Sequence, residues 1–147
     1  MATVEMSREF PVERKELWDR LTDPENLPAF YNNVIDASSG RFTEVGDTIE
    51  MTYRLLGRNS AGTVTLIEVE PGERIRFRGE VPGVPPVEHE WVYRDTDDGT
   101  QVDVRMESVE VDSWLGRSLD RFLIPRQLEK DLERSLDNIE VLFDADL

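Results

Sequence analysis

LEKDLERSLDNIEVLF, residues 128–143, places Leu128, Leu132, Leu136, Ile139 and Phe143 at spacings of four, four, three and four. At the helical period these five share one face. Glu129, Lys130, Asp131, Glu133, Arg134 and Asp137 fall on the rest of the surface and are expected in solvent. From Pro125 to Ala145 the helix would run about 30 Å at ~1.5 Å per residue, enough to cross a whole sheet. Trp114 to Leu123 reads as an earlier piece of it, kinked or divided at Pro125.

Upstream the period changes from 3.6 to two. Gln101 to Val111 alternates Val102, Val104 and Met106 against Asp103, Arg105 and Glu107. Asp98-Gly99 marks a hairpin. Val87 to Asp95 alternates Val87, His89, Trp91 and Tyr93 against Glu88, Glu90 and Arg94. Glu73 to Val81 sets Ile75, Phe77 and Gly79 against Arg74, Arg76 and Arg78, after a turn at Pro71-Gly72. Thr63 to Val69 is a strand with apolar residues on both faces, so its register stays open. Gly57 to Gly62 is expected to turn the chain. Asp47 to Leu56 puts Ile49, Met51, Tyr53 and Leu55 on one face, and the period-two pattern begins at Val34. Ahead of it, Ala2 to Phe10 reads as a first strand and Val12 to Thr22 as a helix. Asp23-Pro24 opens a second short helix, Asp as cap and Pro at the first helical position.

The fold class is therefore α+β: a curved antiparallel sheet of about seven strands around a long C-terminal helix, with two short helices after strand 1. The 147 residues suit one domain, 1–147, with no repeat or linker. Net charge is −15, with two lysines against fifteen arginines. Such a surface repels phosphate backbones and anionic lipid heads, so nucleic acid and membrane surfaces are poor partners. Acid excess with little lysine suits a salt-adapted host, and equally a base composition that favours Arg. There is no cysteine, which excludes disulfides and thiolate chemistry. No apolar run is long enough for membrane insertion, and MATVEMSREF does not read as a signal peptide, so a cytoplasmic location is expected.

The order strand, two helices, six strands, long helix resembles the helix-grip fold of the START/Bet v 1-like (SRPBCC) superfamily, closest to its polyketide cyclase/dehydrase and lipid transport branch. The residues that carry the resemblance are Pro11-Val12-Glu13 through Leu17-Trp18, Leu21-Thr22-Asp23-Pro24-Glu25-Asn26-Leu27-Pro28, and Val69-Glu70-Pro71 before Ile75-Arg76-Phe77. The resemblance implies a cavity between sheet and long helix. Strand parity then names its wall: Met51, Tyr53, Phe77, His89, Trp91, Tyr93, Val104 and Met106 from the sheet, with Leu128 and Leu132 from the helix. Phe30 and Tyr31 follow the second short helix. By resemblance they lie beside two entrance loops, Leu55-Leu56-Gly57-Arg58-Asn59 and Val81-Pro82-Gly83-Val84-Pro85-Pro86. Apolar residues in such loops need a cover, whether a ligand, the loops themselves or a second copy of the chain in a homodimer.

His89 is the single histidine, and a catalytic role would fall to it with Tyr53 and Tyr93. Each also reads as an ordinary core side chain. The alternating Arg and Glu residues are expected to pair on the outer sheet face. Asp95 to Gly99 fails as a calcium loop, because the glycine comes early and Met106 occupies the glutamate position. One histidine without cysteine argues against zinc, and no dinucleotide or phosphate loop is present, so no cofactor and no metal is expected. Three functions compete. One is a carrier of a small lipophilic molecule (a lipid, quinone or polyketide-like compound). The others are a polyketide cyclase/aromatase enzyme, and an assembly or maturation factor resembling an accessory subunit of carbon monoxide dehydrogenase.

Overall fold

The computed structural model describes residues 3–38, 40–55, 57–108 and 124–144. In chain order the elements are β1 (Thr3–Phe10), α1 (Arg14–Leu21), a single 3-10 turn (Pro24–Asn26), α2 (Leu27–Phe30), β2 (Val34–Ala37), β3 (Thr48–Leu55), β4 (Arg58–Glu70), β5 (Arg74–Glu80), β6 (Val87–Asp95), β7 (Thr100–Ser108) and α3 (Ile124–Asp144). The seven strands form one curved antiparallel sheet, ordered β1-β7-β6-β5-β4-β3-β2. The α+β helix-grip architecture read from the sequence is the one found.

The long helix lies in the concave face. Leu132, Leu136 and Ile139 are at most 1% exposed and Phe143 is buried. They meet the inward residues of β1, β6 and β7, among them Phe10, Trp91, Val102 and Val104. Each such side chain contributes about 1.5–3 kcal/mol through burial. Arg8 of β1 reaches α3 directly, pairing with Asp137 at 2.5 Å and Glu140 at 3.5 Å. Pro125 stands in the first turn of α3, where its missing N–H breaks no helical bond. The expected helix over Trp114–Leu123 and the end of the last strand at 109–111 lie outside the described residues.

Two expectations for β4 are corrected. The chain does not loop over Gly57–Gly62. Leu55 already pairs with Arg58, and Gly57 between them takes φ 78°. Gly62 is instead a strand residue opposite Met51. A Cβ there would sit 2.8 Å from the Tyr53 ring and 2.7 Å from the Glu80 carbonyl, so the missing side chain makes room for Tyr53. The open register of β4 has a physical cause as well. A β-bulge between Leu66 and Glu68 leaves Ile67 without an opposite residue, so Val64 and Leu66 point inward before it and Val69 after it.

The turn signals hold where the chemistry is local. Glu73 N–H donates to the Glu70 carbonyl across Pro71-Gly72, with Gly72 at φ 79°. The Asp23 carboxylate accepts from Glu25 N–H at 3.0 Å, with Pro24 at the first position. On the convex face, register sets Arg76 opposite Glu90 and Arg78 opposite Glu88. Arg74 donates to Glu90 at 2.7 Å and meets Glu68 at 2.8 Å, while Arg76 donates to Glu68 at 2.7 Å. This solvated ladder is worth a few tenths to about 1 kcal/mol per pair.

Candidate functional site

Between the sheet and α3 lies a cavity of about 60 Å³. A curved sheet cannot be filled by one straight helix along its whole length, and the gap opens beside α2. Ten of the twelve residues named for the wall and the mouth line it. Phe30 and Tyr31 come from α2 and its end, Met51 and Tyr53 from β3, and Phe77 from β5. His89, Trp91 and Met106 come from β6 and β7, and Leu132 comes from α3. Tyr93, named for the wall and as a catalytic candidate, lines it as well. Val104 and Leu128 do not. Val104 is 2% exposed between Met6 and Trp91, and Leu128 packs half-buried against the core. Among the described residues of the two apolar loops none forms part of the wall; Val84 is 41% exposed and Pro85 buried.

The wall is aromatic and its rings meet mostly edge to face. Tyr31 stands 6.0 Å from Trp91 and 6.1 Å from His89, while His89 stacks on Phe77 at 4.7 Å. Three polar atoms of this group are buried with no hydrogen bond of good geometry: His89 Nδ1, and Tyr31 Oη and Trp91 Nε1, which lie near each other. Burial drives the Tyr31, Tyr53 and Tyr93 phenols well above their ordinary range, so all three stay neutral.

Burial also pushes the His89 imidazole down to about 4 from an ordinary 6.5. The unfolded chain then binds a proton through that interval while the folded chain does not, so His89 costs stability as pH falls from 6.5 to 4. At 1.36 kcal/mol per pH unit the loss amounts to about 3 kcal/mol. Carboxylates titrate in the same range, so the comparison must be with a variant. His89→Phe is expected to unfold in urea with a shallower acid dependence than the wild type between pH 6.5 and 4. Equal slopes would mean that the ring is freely hydrated.

Sequence reasoning missed part of the wall. Asp131, expected in solvent on the outer face of the helix, is 8% exposed and lines the cavity with Ser135. Asp131 Oδ1 accepts from Asn32 Nδ2 at 2.9 Å and from Gln127 Nε2 at 3.0 Å. Ser135 Oγ accepts from Asn32 N–H at 3.0 Å, and Asn138 Nδ2 donates to the Phe30 carbonyl at 3.0 Å. These bonds fasten α2 and the turn after it onto α3. The signal lies in the spacing: Asp131, Ser135 and Ile139 recur every four residues beside the Leu128–Leu132–Leu136 row. Phe42, from the connection between β2 and β3, is buried 6.3 Å from Phe77. A lone aromatic in a polar stretch is its only mark. Among the described residues no cluster of His, Asp and Glu is disposed to hold a metal ion, and no helix is long and apolar enough to cross a membrane.

A sheet gripping its C-terminal helix around an aromatic cavity defines the START/Bet v 1-like class of domains, and solved structures agree on the fold. A protein from Nitrosomonas europaea matches with a TM-score of 0.78 at 15% identity, over 99% of this chain and 96% of that one. One from Thermus thermophilus gives 0.76 at 18% identity over 94% of each, and one from Chromobacterium violaceum 0.74 at 16% over 97% of each. Within that class, the family model described as polyketide cyclase / dehydrase and lipid transport matches residues 1–143, and the chain belongs to that family. No curated protein matches the sequence.

Proposed function

We propose that this chain binds a small lipophilic molecule with an acceptor oxygen, in the cavity between sheet and α3. The observation that carries the proposal is the trio of polar atoms buried with no hydrogen bond of good geometry in an otherwise apolar wall, Tyr31 Oη, His89 Nδ1 and Trp91 Nε1. Each unpaired buried group costs about 1–3 kcal/mol, which a bound partner would recover. Trp91 Nε1 can only donate, so the matching ligand atom is an acceptor such as a carbonyl or ether oxygen. Membership of a cyclase and lipid transport family supports ligand binding in general terms.

Size narrows the class. Sites for drug-sized ligands run to about 300–1,000 Å³, against a gap of about 60 Å³ here. As it stands the cavity suits a ligand of a few heavy atoms. A full lipid tail or polyketide chain requires Tyr31 and Phe42 to move aside. Both come from short connecting segments rather than from the central strands. Binding is favoured over proton-transfer catalysis by the low His89 value, which leaves a weak base at neutral pH.

Tyr31→Phe tests the reading because it removes one orphaned oxygen and keeps the shape. The variant is expected to melt a few degrees above the wild type, for roughly 1 kcal/mol gained. It should also retain about tenfold less of the lipophile that co-purifies and is seen by native mass spectrometry. A lower melting temperature, with no small molecule carried by either protein, would mean that the hydroxyl holds ordered water and the cavity is a packing defect.

A further inference from the structure

Asp131 is a carboxylate in the wall of an aromatic cavity, 8% exposed, and its Oδ1 is held by two neutral amides, those of Asn32 and Gln127. Its own backbone carbonyl accepts from Ser135 Oγ at 2.7 Å, which fixes the turn of helix that presents it. Ion pairs elsewhere in the molecule occupy the surface, and among the described residues none reaches Asp131. Amides orient a carboxylate without balancing its charge, and among the described residues Asp131 has no cationic partner. We infer that the ligand supplies the counterpart: Asp131 selects a lipophilic molecule bearing a protonated amine. The inference rests on the cavity-binding reading above and adds the charge of the ligand to it.

Two independent features point the same way. The rings of Phe30, Tyr31 and Trp91 line the same space, and aromatic faces attract cations. The protein carries a net charge of −15, which concentrates cations around it and repels carboxylates. A ligand with an ammonium toward Asp131 and an acceptor oxygen toward Trp91 would satisfy both kinds of polar group in the wall.

Butylamine, butanol and butyrate share a chain small enough for the cavity and differ in the head group. Each is titrated into the full chain at pH 7 and followed by the NMR signal of the Trp91 indole N–H, assigned with Trp91→Phe. Butylamine is expected to bind at least tenfold more tightly than butanol, with butyrate not measurable. Asp131→Asn keeps an oxygen for the two amides and removes the charge, so it should bring butylamine down to the level of butanol and leave butanol unchanged. Glu129→Gln removes the same charge from an exposed site on α3 and should change neither, which separates contact from the general field. Equal binding of butylamine and butanol by the wild type overturns the inference while the cavity reading stands, whether or not Asp131→Asn folds. A preference surviving in Asp131→Asn overturns it too. If none of the three probes moves the signal, the cavity reading fails and the inference falls with it.

Discussion

Gly99→Ala is expected to cost about 3 kcal/mol or more and to lower the melting temperature by roughly 10 °C. A Cβ at position 99 would stand 2.0 Å from the Phe10 carbonyl oxygen and 2.9 Å from both Pro11 Cα and Val12 N. All three are backbone atoms, so no rotamer change relieves the overlap. The neighbouring Thr100 is fully buried, with its hydroxyl donating to the Val12 carbonyl at 2.8 Å. The β6–β7 loop is thus seated on the end of β1, and Phe10 pairs with Thr100 there. An added methyl must lift the loop and break that corner. Thermal unfolding decides it: a shift of less than about 2 °C would mean that the corner yields cheaply.

Leu136→Ala is the second large effect, expected at about 2–5 kcal/mol. Leu136 is 1% exposed in the middle of α3 and outside the cavity wall, so its removal leaves a void in packed surroundings. Leu132→Ala makes the same chemical change one helical turn earlier, at the wall. Its cost should fall nearer the low end of that range, because the deleted atoms already adjoined empty space, and it should admit bulkier ligands. Urea unfolding of the two variants, with binding measured alongside, checks both claims. Equal costs with unchanged ligand size would place Leu132 in ordinary core.

How far the sequence can be read depends on how local the deciding forces are. The β5, β6 and β7 strands announce their faces because each has one wet and one dry side, and Arg74, Arg76 and Arg78 alternate cleanly with Ile75 and Phe77. The same parity puts His89, Trp91 and Tyr53 at one cavity. The β4 strand is obscure because its apolar residues serve a bulge, whose position depends on the partner strand. Asp98-Gly99 does mark a hairpin, although Gly99 is required by the approach of β1 rather than by the turn's own dihedral angles. Asp131 is misplaced when charge is allowed to overrule helical position, because the burial of its carboxylate depends on Asn32, a partner distant in sequence. Cavity size is not legible at all, since it is a small difference between large filled volumes.

The unmatched residue in β4 has an evolutionary corollary. Removing Ile67 would leave every side chain before and after it on its present face, because the pairings Leu66–Phe77 and Glu68–Arg76 would simply become consecutive. Nearly any other single deletion in that strand would invert one half of it. Position 67 is therefore where homologues can gain or lose one amino acid without scrambling the pattern, and aligned sequences should concentrate a one-letter gap there. Members lacking it would have a straighter strand and a correspondingly different interior volume.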